Sequence, residues 1–367
     1  MKKAVLAAIE LPGQNFSPTL LMEELSLLLE NLGIATVGTV VQKRGKPDPA
    51  FLLGKGKVEE AALFCRETGA DLLVCNESLS PGQKSNLQSV VGIEVWDRPF
   101  VIMKIFEKRA RTSEAKLQVE MALCRYEIPH LKGLGVQMSR LGGGIGTRGP
   151  GETEFEIHRR RLERRIRDIG KKLRTLKRKR ELQRARRRKM RAPVVSLVGY
   201  TNSGKSSLLR ALSGDSSLIV EDRLFTTLDT FIRSVFLSSG RNVLVSDTVG
   251  FIRDLPPGLV AAFRTTLEEI TGSDLLLIVI DVSAPDFLEV RDVVEQTLYE
   301  IGAGDTPRLF VLNKMDLVSK DDLSAAMARL GVGENQVFGV CTLDKRGLPE
   351  LRRALARMLD NTEGEPA

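Results

Sequence analysis

The fold is decided by one stretch, Val194-Val-Ser-Leu-Val-Gly-Tyr-Thr-Asn-Ser-Gly-Lys-Ser-Ser-Leu-Leu-Arg-Ala-Leu212. It predicts a buried strand, a loop and a helix, and the loop has the G-x-x-x-x-G-K-S spacing of a phosphate-binding loop. Glycines let successive backbone N–H groups turn toward an anion, and the N-terminus of the next helix attracts it further. We expect Lys205 to reach the β- and γ-phosphates and the Ser206 hydroxyl to bind Mg²⁺. The candidate nucleotide contacts here are Gly199, Tyr200, Thr201, Asn202, Ser203, Gly204, Lys205 and Ser206.

A second motif, Asp247-Thr-Val-Gly250, follows the predicted strand Val243–Ser246. Asp247 is placed to hold Mg²⁺ through a water molecule, as the acid after the second core strand does in such folds. The amide of Gly250 is placed to contact the γ-phosphate, and Thr248 and Val249 complete this candidate contact segment. A D-x-x-G motif alone is weak evidence for a nucleotide site. At this distance after the phosphate loop it is strong evidence.

A third motif, Asn313-Lys-Met-Asp316, follows the predicted strand Leu309–Leu312. The carboxylate of Asp316 can accept two hydrogen bonds from the ring N–H and amino group of guanine. Adenine presents an acceptor where guanine presents the ring donor, which penalises ATP by a few kcal/mol. The stem of Lys314 can cover the base, and Met315 completes the segment. The pattern predicts GTP rather than ATP.

A switch segment is expected in Phe225-Thr-Thr-Leu-Asp229, between the first helix and the next strand. Thr227 is the first choice for a hydroxyl that binds Mg²⁺, and Thr226 is the alternative. Such segments order around the γ-phosphate and relax after hydrolysis. The candidate nucleotide contacts here are Phe225, Thr226, Thr227, Leu228 and Asp229.

Hydrolysis is expected to depend on Lys205, Thr227, Asp247 and Gly250, because phosphoryl transfer to water needs positioning and charge neutralisation. In Ras-like GTPases a glutamine that orients water follows the D-x-x-G glycine. Phe251 stands at that position here and cannot do so. The sequence therefore predicts slow hydrolysis that a partner accelerates by ordering the switch segments.

The chain predicts an α/β fold in which a P-loop G domain with a doubly wound sheet, residues 192–360, follows two other units. Residues 1–110 alternate short apolar runs with helical patterns and predict a small parallel α/β domain. Residues 111–191 predict a long two-helix hairpin around a glycine-rich loop, and residues 361–367 predict a disordered tail. The elements predicted before residue 111 are strands Val5–Ile9, Ala35–Val41, Leu72–Cys75 and Ile93–Val95 and helices Leu20–Leu32, Val58–Thr68 and Phe100–Ala110.

The hairpin is predicted from two helical patterns. The first, Thr112–Ile128, should end near Pro129, and the second should run from about Glu152 to Met190. The second pattern carries an apolar seam with heptad spacing, which should pack on Leu117, Met121 and Cys124 of the first helix. The seam consists of Leu162, Ile166, Ile169, Leu173 and Leu176.

Charge is concentrated in the second helix of the hairpin. Residues 159–191 contain 19 Lys or Arg and three acids, a net charge of +16, whereas the whole 367-residue chain carries +8. A solvated charged face would explain part of this, but an excess of this size in an otherwise acidic chain favours contact with a polyanion. Because aromatic residues make up only 5% of the chain, phosphate contact with folded RNA is favoured over base stacking.

Apolar runs, cysteines and a second glycine-rich stretch limit the class of protein further. No apolar run is long enough to span a membrane, although peripheral association stays open. The four cysteines are far apart and form no C-x-x-C pair, which favours a reducing cytoplasm and argues against zinc or disulfides. The stretch Phe51–Lys57 superficially resembles a phosphate loop but lacks the required spacing, so a second nucleotide site there remains an open, weaker alternative.

The G-domain motifs, together with two stretches upstream, closely resemble the HflX family of GTPases. These stretches are Arg109-Ala-Arg-Thr-Ser-Glu-Ala-Lys-Leu-Gln-Val-Glu120 and Gly142-Gly-Gly-Ile-Gly-Thr-Arg-Gly-Pro-Gly-Glu-Thr153. The resemblance covers about residues 10–355. It implies a cytoplasmic, monomeric GTPase that uses GTP and Mg²⁺, binds the large ribosomal subunit and its rRNA, and splits or rescues ribosomes under stress. It also implies that the hairpin approaches the peptidyl-transferase region.

The resemblance is imperfect at one edge of the guanine site. The family has Ser-Ala-Lys in the loop that contacts guanine, and Cys341, Thr342 and Leu343 stand there in this chain. Two alternatives to ribosome splitting stay open. One is a GTPase of ribosome assembly or rRNA maturation, and the other is an RNA-binding scaffold whose nucleotide site is vestigial, against which Lys205, Asp247 and Asp316 argue.

Overall fold

The computed structural model describes residues 1–13, 16–141, 150–189, 192–215, 225, 231–237, 240–253 and 270–361. Of residues 132–141, 150–154, 179–189 and 361 the backbone alone is described. The described residues divide into two compact units, one within Met1–Thr175 and the other within Leu176–Leu255 and Phe263–Ala367. The boundaries predicted at residues 110 and 191 stay predictions.

The first unit contains a four-stranded sheet in the order β2-β1-β3-β4, with every neighbouring pair parallel. Its core is formed by apolar side chains on the sheet and on the helices that cross over between strands. The predicted strands and helices are confirmed, with ends that differ by at most three residues. The strands are β1 (Lys3–Glu10), β2 (Ala35–Lys43), β3 (Leu72–Cys75) and β4 (Glu94–Asp97), and the helices are α1 (Pro18–Leu32), α2 (Lys55–Thr68), α3 (Pro81–Val91) and α4 (Arg98–Arg109).

Helix α3 was not predicted, because Pro81 and Gly82 at its start are typical of a turn. Proline is tolerated in the first turn of a helix, where its missing N–H would have no partner in any case. The Ser80 side chain accepts a hydrogen bond from the Gln83 N–H, and the Gln83 side chain accepts one from the Ser80 N–H. This capping box fixes the start of the helix.

The hairpin consists of α5 (Ser113–Leu141) and α6 (Pro150–Lys189). The prediction that the first helix ends near Pro129 is wrong, because α5 continues through that residue. One proline removes a single backbone hydrogen bond, and packing on both sides can offset a cost of about 3 kcal/mol. The rings of Tyr126 and His130 stack across this turn at 4.3 Å.

The two helices run antiparallel. Arg165 of α6 forms a bidentate pair with Glu120 of α5, at 2.5 and 2.8 Å, and His158 lies 3.1 Å from Glu127. Ile169, at the centre of the predicted seam, is fully buried. The seam and its antiparallel partner are thus confirmed there, whereas residues 142–149 of the glycine-rich loop lie outside the described residues.

The second unit contains a six-stranded sheet in the order β10-β9-β8-β5-β7-β6. Only β6, at the edge, is antiparallel to its neighbour; the other pairs are parallel. The α/β class and the doubly wound sheet are confirmed, and β6 and β10 are strands that the sequence analysis missed. The elements are β5 (Val194–Gly199), α7 (Lys205–Ser213), β6 (Phe231–Phe236), β7 (Asn242–Asp247), β8 (Leu275–Asp281), α8 (Phe287–Glu300), β9 (Arg308–Asn313), α9 (Lys320–Arg329), β10 (Val337–Val340) and α10 (Leu348–Asn361).

This topology brings the three motifs together. The core pairs the apolar faces of α7 and α10 with β5, β7, β8 and β9. The carboxyl ends of parallel strands lie at one edge of a sheet, so the phosphate loop, Asp247 and Asn313 meet there. Residues 362–367 of the predicted tail lie outside the described residues. Within the described part of the chain, no helix has both the length and the apolar content that a membrane span requires.

Candidate nucleotide-binding site

The loop between β5 and α7 has the backbone of an anion-binding loop. Gly199 and Gly204 have φ values of 154° and 91°, which favour glycine. Neither position has room for a side chain. A Cβ on Gly199 would overlap the Val279 carbonyl oxygen, and a Cβ on Gly204 would overlap the Asn313 amide. The sequence therefore needs both glycines to form this loop against the neighbouring strands.

Lys205, at the start of α7, is 6% exposed and donates hydrogen bonds to the carbonyl oxygens of Gly199 (3.1 Å) and Tyr200 (2.7 Å). Burial lowers its pKa to about 8, and the nearby Asp247 carboxylate opposes that shift. The ammonium group donates its hydrogen bonds in the loop to neutral carbonyl groups, so an added phosphate would stabilise its charged form.

Ser206 and Asp247 form the predicted metal-binding pair. The Ser206 hydroxyl donates a 2.6 Å hydrogen bond to Asp247 Oδ2, and Asp247 is 1% exposed at the end of β7. Among the described residues there is no cluster of three or more His, Cys, Asp or Glu side chains that could hold a metal alone. A hydroxyl beside one carboxylate fits Mg²⁺, which takes few protein oxygens and shares its other positions between water and phosphates.

The D-x-x-G segment lies directly against the loop. Thr248 is fully buried and donates to the Leu197 carbonyl oxygen at 2.6 Å. A Cβ on Gly250 would lie 2.9 Å from the Thr201 Cα and 3.1 Å from the Lys205 Nζ. Only glycine allows the segment to approach the phosphate loop this closely, which places the Gly250 amide next to the loop.

Phe251 pairs with the loop through its backbone. Its N–H donates to the Gly199 carbonyl oxygen at 2.9 Å, and its own carbonyl oxygen accepts from the Thr201 N–H at 2.8 Å. The side chain is 3% exposed. The residue that replaces the water-orienting glutamine therefore belongs to the core.

Arg253, Tyr200 and Asp286 form a buried polar cluster that the motifs do not reveal. The Tyr200 hydroxyl accepts hydrogen bonds from the Arg253 backbone N–H (3.0 Å) and Nε (3.1 Å). The guanidinium reaches Asp286 Oδ2 at 3.4 Å and is 8% exposed. Tyr200 occupies a variable position of the loop pattern, so no sequence signal identified it as the anchor of the segment after Gly250.

The N-K-x-D motif follows β9. Asn313 is 1% exposed, and its amide donates to the Ser203 carbonyl oxygen at 2.9 Å, which joins this motif to the phosphate loop. Lys314 has a left-handed φ of 62°, and its ammonium lies 2.7 Å from Asp281 Oδ2. Met315 begins a short 3₁₀ turn in which Asp316 is exposed. Asp281 is a further residue of this site that the sequence analysis missed.

The loop after β10 adjoins the same motif. Cys341 is 1% exposed, Thr342 is half-buried and Leu343 is 85% exposed. Burial raises the pKa of the Cys341 thiol, and a hydrogen bond with the Asp316 carboxylate raises it further.

The site residues that sequence reasoning placed on the switch segment are only partly described. Phe225 is 1% exposed with a φ of 57°. Thr226, Thr227, Leu228 and Asp229 lie outside the described residues. The other predicted residues from β5, β7 and β9 meet at one edge of the sheet, as described above.

The arrangement fits a nucleotide with Mg²⁺. The Thr201 Oγ1 and Ser203 Oγ atoms are buried without a hydrogen-bond partner among the described residues, and such atoms are costly unless a ligand or water satisfies them. The backbone around Gly199 and Gly204 can hold phosphate, and the buried Lys205 can neutralise its charge. The exposed Asp316 carboxylate can bind the base.

Three family models match consecutive parts of the chain. They are described as GTP-binding GTPase N-terminal (residues 20–107), GTP-binding GTPase Middle Region (residues 109–187) and 50S ribosome-binding GTPase (residues 194–314). Together these models span most of the chain and include the phosphate loop.

Curated relatives also match most of this chain. A protein named GTPase HflX from Caldanaerobacter subterraneus is 47% identical over 92% of this chain and 77% of its own length. GTPase HflX of Escherichia coli K12 is 37% identical over 92% of this chain and 79% of its own. A solved structure described as the complex of SsGBP with GDP is 26% identical, with a TM-score of 0.53 over 99% of each chain.

Proposed function

We propose that this chain, which belongs to the HflX family of GTPases and therefore binds and hydrolyses GTP, binds the large ribosomal subunit and splits stalled or idle ribosomes. The observation that carries the proposal is the pairing of a GTP site with a separate basic helix on one chain. The description of the matching G-domain model as a 50S ribosome-binding GTPase supports the partner.

Mg²⁺ would be held by the Ser206 hydroxyl, by Asp247 through a water and by Thr227. Bound there, the ion would supply positive charge to the phosphates of the nucleotide. Lys205 supplies a second positive charge, and the Gly250 amide, beside the loop, donates to the γ-phosphate. Catalysis by these groups rests on positioning and electrostatics rather than on a covalent step.

Hydrolysis is slow until the partner binds. The Phe251 side chain, at the position after Gly250, is apolar and buried, so it cannot orient the attacking water. Ribosomal contact accelerates hydrolysis by ordering the switch segments.

The helical hairpin makes the ribosomal contact. Its second helix concentrates positive charge that is excessive for solubility alone. The family resemblance implies that the glycine-rich loop approaches the peptidyl-transferase region of rRNA. The protein acts as a monomer in the cytoplasm, where ribosomes are found.

Density-gradient sedimentation tests the proposal. Intact ribosomes are incubated with the chain in GTP, in GDP and in a non-hydrolysable GTP analogue. We expect GTP and the analogue, but not GDP, to place the chain on the large subunit and to increase the free-subunit peaks.

Matched variants show whether guanine recognition drives this effect. Asp316→Asn turns an acceptor into a donor, so this variant should lose its response to GTP and gain one to xanthosine triphosphate, whose base has an oxo group in place of the amino group. Asp321→Asn, an exposed acid on α9, should behave as wild type.

The gradients also separate the alternatives. Binding to large subunits without separation of intact ribosomes would favour a GTPase of ribosome assembly or rRNA maturation. Binding to RNA that is indifferent to nucleotide would favour a scaffold. Absence of the chain from every ribosomal fraction would contradict the ribosomal function altogether.

A further inference from the structure

One face of α6 carries a regular row of positive charge. The basic row, as we name it, consists of Arg160, Arg164, Arg167, Lys171 and Arg174. Its members are spaced four, three, four and three residues apart, so they form a nearly straight line along the helix. At 1.5 Å per residue the row is about 21 Å long.

The basic row lies opposite the apolar seam. Each member stands two positions before a member of the seam, and two positions are about 200° apart around an α-helix. The seam faces α5, where Ile169 is fully buried and Arg165 reaches across to Glu120. All five members of the basic row are exposed, so the row points away from the partner helix.

Two carboxylates on the hairpin pair with arginines outside the row. Glu163 pairs with Arg159 at 2.9 Å, and Glu120 pairs with Arg165. Within the basic row only Arg160 has such a partner, Glu156 on its own helix at 3.1 Å. Among the described residues, the other four members form no ion pair. Most of the positive charge of the row is therefore left for an external anion.

We propose that the basic row is a docking edge for a double-helical segment of RNA, which it contacts through phosphates. This inference rests on the proposed ribosomal function and names the part of that partner which α6 binds. The row is straight and fixed on a packed helix, so it matches a stiff line of phosphates better than a flexible strand.

The chemistry of the helix supports duplex over single-stranded RNA. Single strands are held largely by bases that stack on aromatic side chains, and residues 159–178 contain no aromatic residue. Duplex RNA hides most of its base edges in a deep, narrow groove, so proteins recognise it by shape and backbone. A row made only of Arg and Lys suits that surface, and binding should not depend on base sequence.

The test uses charge-matched variants of the full chain. Arg167→Gln with Lys171→Gln removes one Arg and one Lys from the basic row. Arg161→Gln with Lys172→Gln removes the same two residue types from exposed positions of the same helix outside the row. The probes are a blunt RNA duplex of about 16 base pairs, a length that small duplex-binding domains cover, and a single strand of equal length.

We expect the row variant to bind the duplex at least about tenfold more weakly than wild type at moderate salt. Each lost phosphate contact also reduces the slope of log affinity against log salt by about 0.9, so the row variant should lose about 1.8. The control variant should keep the wild-type slope, and wild type should bind the duplex more tightly than the single strand. Equal losses in both variants, or tighter binding of the single strand, would overturn the inference.

Sedimentation with large subunits distinguishes this inference from the proposed function. If wild type and the control variant bind large subunits in GTP and the row variant does not, both hold. If all three bind equally, the basic row is not the docking edge and the ribosomal function still stands. If wild type itself does not bind, the proposed function fails.

Discussion

The backbone N–H of Thr201 donates a 2.8 Å hydrogen bond to the carbonyl oxygen of Phe251. The phosphate loop and the residue after the D-x-x-G motif are therefore paired directly. The Phe251 side chain is directed into the core, where it is 3% exposed. If exchange of GTP for GDP moves the segment around Phe251, it must also change these backbone hydrogen bonds to the phosphate loop.

Replacement of Phe251 by glutamine should not create fast hydrolysis. The side chain at this position faces the core, so an amide there would be buried rather than directed at an attacking water. We expect unchanged or lower single-turnover rates and a loss of roughly 3 kcal/mol in stability. Phe251→Leu, which keeps an apolar side chain, should lose less. A glutamine variant with a large rise in rate and unchanged melting would contradict the assignment.

Gly204→Ala should abolish nucleotide binding. The added methyl group would overlap the Asn313 amide, and the backbone has a φ of 91°. Gly214, at the end of the same helix, has a φ of 71° and open space around its Cα, so Gly214→Ala carries similar backbone strain of about 1 kcal/mol without the overlap. Titration with labelled GDP should show wild-type affinity for Gly214→Ala. Equal affinity of the two variants would show that the close approach of Gly204 and Asn313 is unimportant.

Tyr200→Phe should weaken GTP binding more than GDP binding. It removes the acceptor for two donors of the buried Arg253, which costs about 1–3 kcal/mol and loosens the segment after Gly250. Because Gly250 is expected to contact only the γ-phosphate, the loss should fall mainly on GTP. Tyr299→Phe, which alters an 80% exposed tyrosine on α8, serves as the control. Equal losses for GTP and GDP would refute a role of Arg253 in positioning that segment.

Stability of the first unit should depend on pH through Glu77. Burial raises its pKa to about 7, while one oxygen accepts a hydrogen bond from the Ile9 N–H at 3.2 Å. Because the folded-state pKa lies above the unfolded value, the protonated form stabilises the fold, and this contribution is lost as the pH rises from about 4.5 to 7. Glu77→Gln should therefore gain stability relative to wild type at pH 8, by ~2 kcal/mol more than at pH 5.

Melting curves of both proteins at the two pH values measure this difference. Glu10→Gln, at the end of β1 and partly exposed, serves as the comparison in the same unit. A Glu77→Gln effect that is the same at pH 5 and pH 8 would show that the carboxyl is not buried as described.

The sequence predicts the parts of the site that depend on local spacing. The phosphate loop, Asp247 and Asn313 all stand at strand ends, because the chemistry of each motif requires a particular backbone position. Residues joined only by tertiary contacts were missed. Arg253 is 53 positions from its hydrogen-bond partner Tyr200, and nothing local to either residue indicates the contact. Asp281 likewise meets Lys314 only after β8 and β9 have paired.

The prediction of secondary structure failed at two positions where a proline stands within a helix. No helix was predicted at Pro81-Gly82, but the reciprocal hydrogen bonds of Ser80 and Gln83 begin a helix there. Pro129 predicted the end of a helix, but α5 continues through it. In both cases the position of the proline in the helix determines its effect. A proline costs little in a first turn, and a long helix can tolerate the loss of one hydrogen bond.

Under the proposed function, the large ribosomal subunit switches on GTP hydrolysis in this chain. The steady-state rate of phosphate release at saturating GTP, with and without purified large subunits, measures this effect. We expect slow turnover by the chain alone and a rise of at least about tenfold with large subunits, which corresponds to about 1.4 kcal/mol of barrier lowering. Equal rates in the two conditions would show that the large subunit does not switch on hydrolysis.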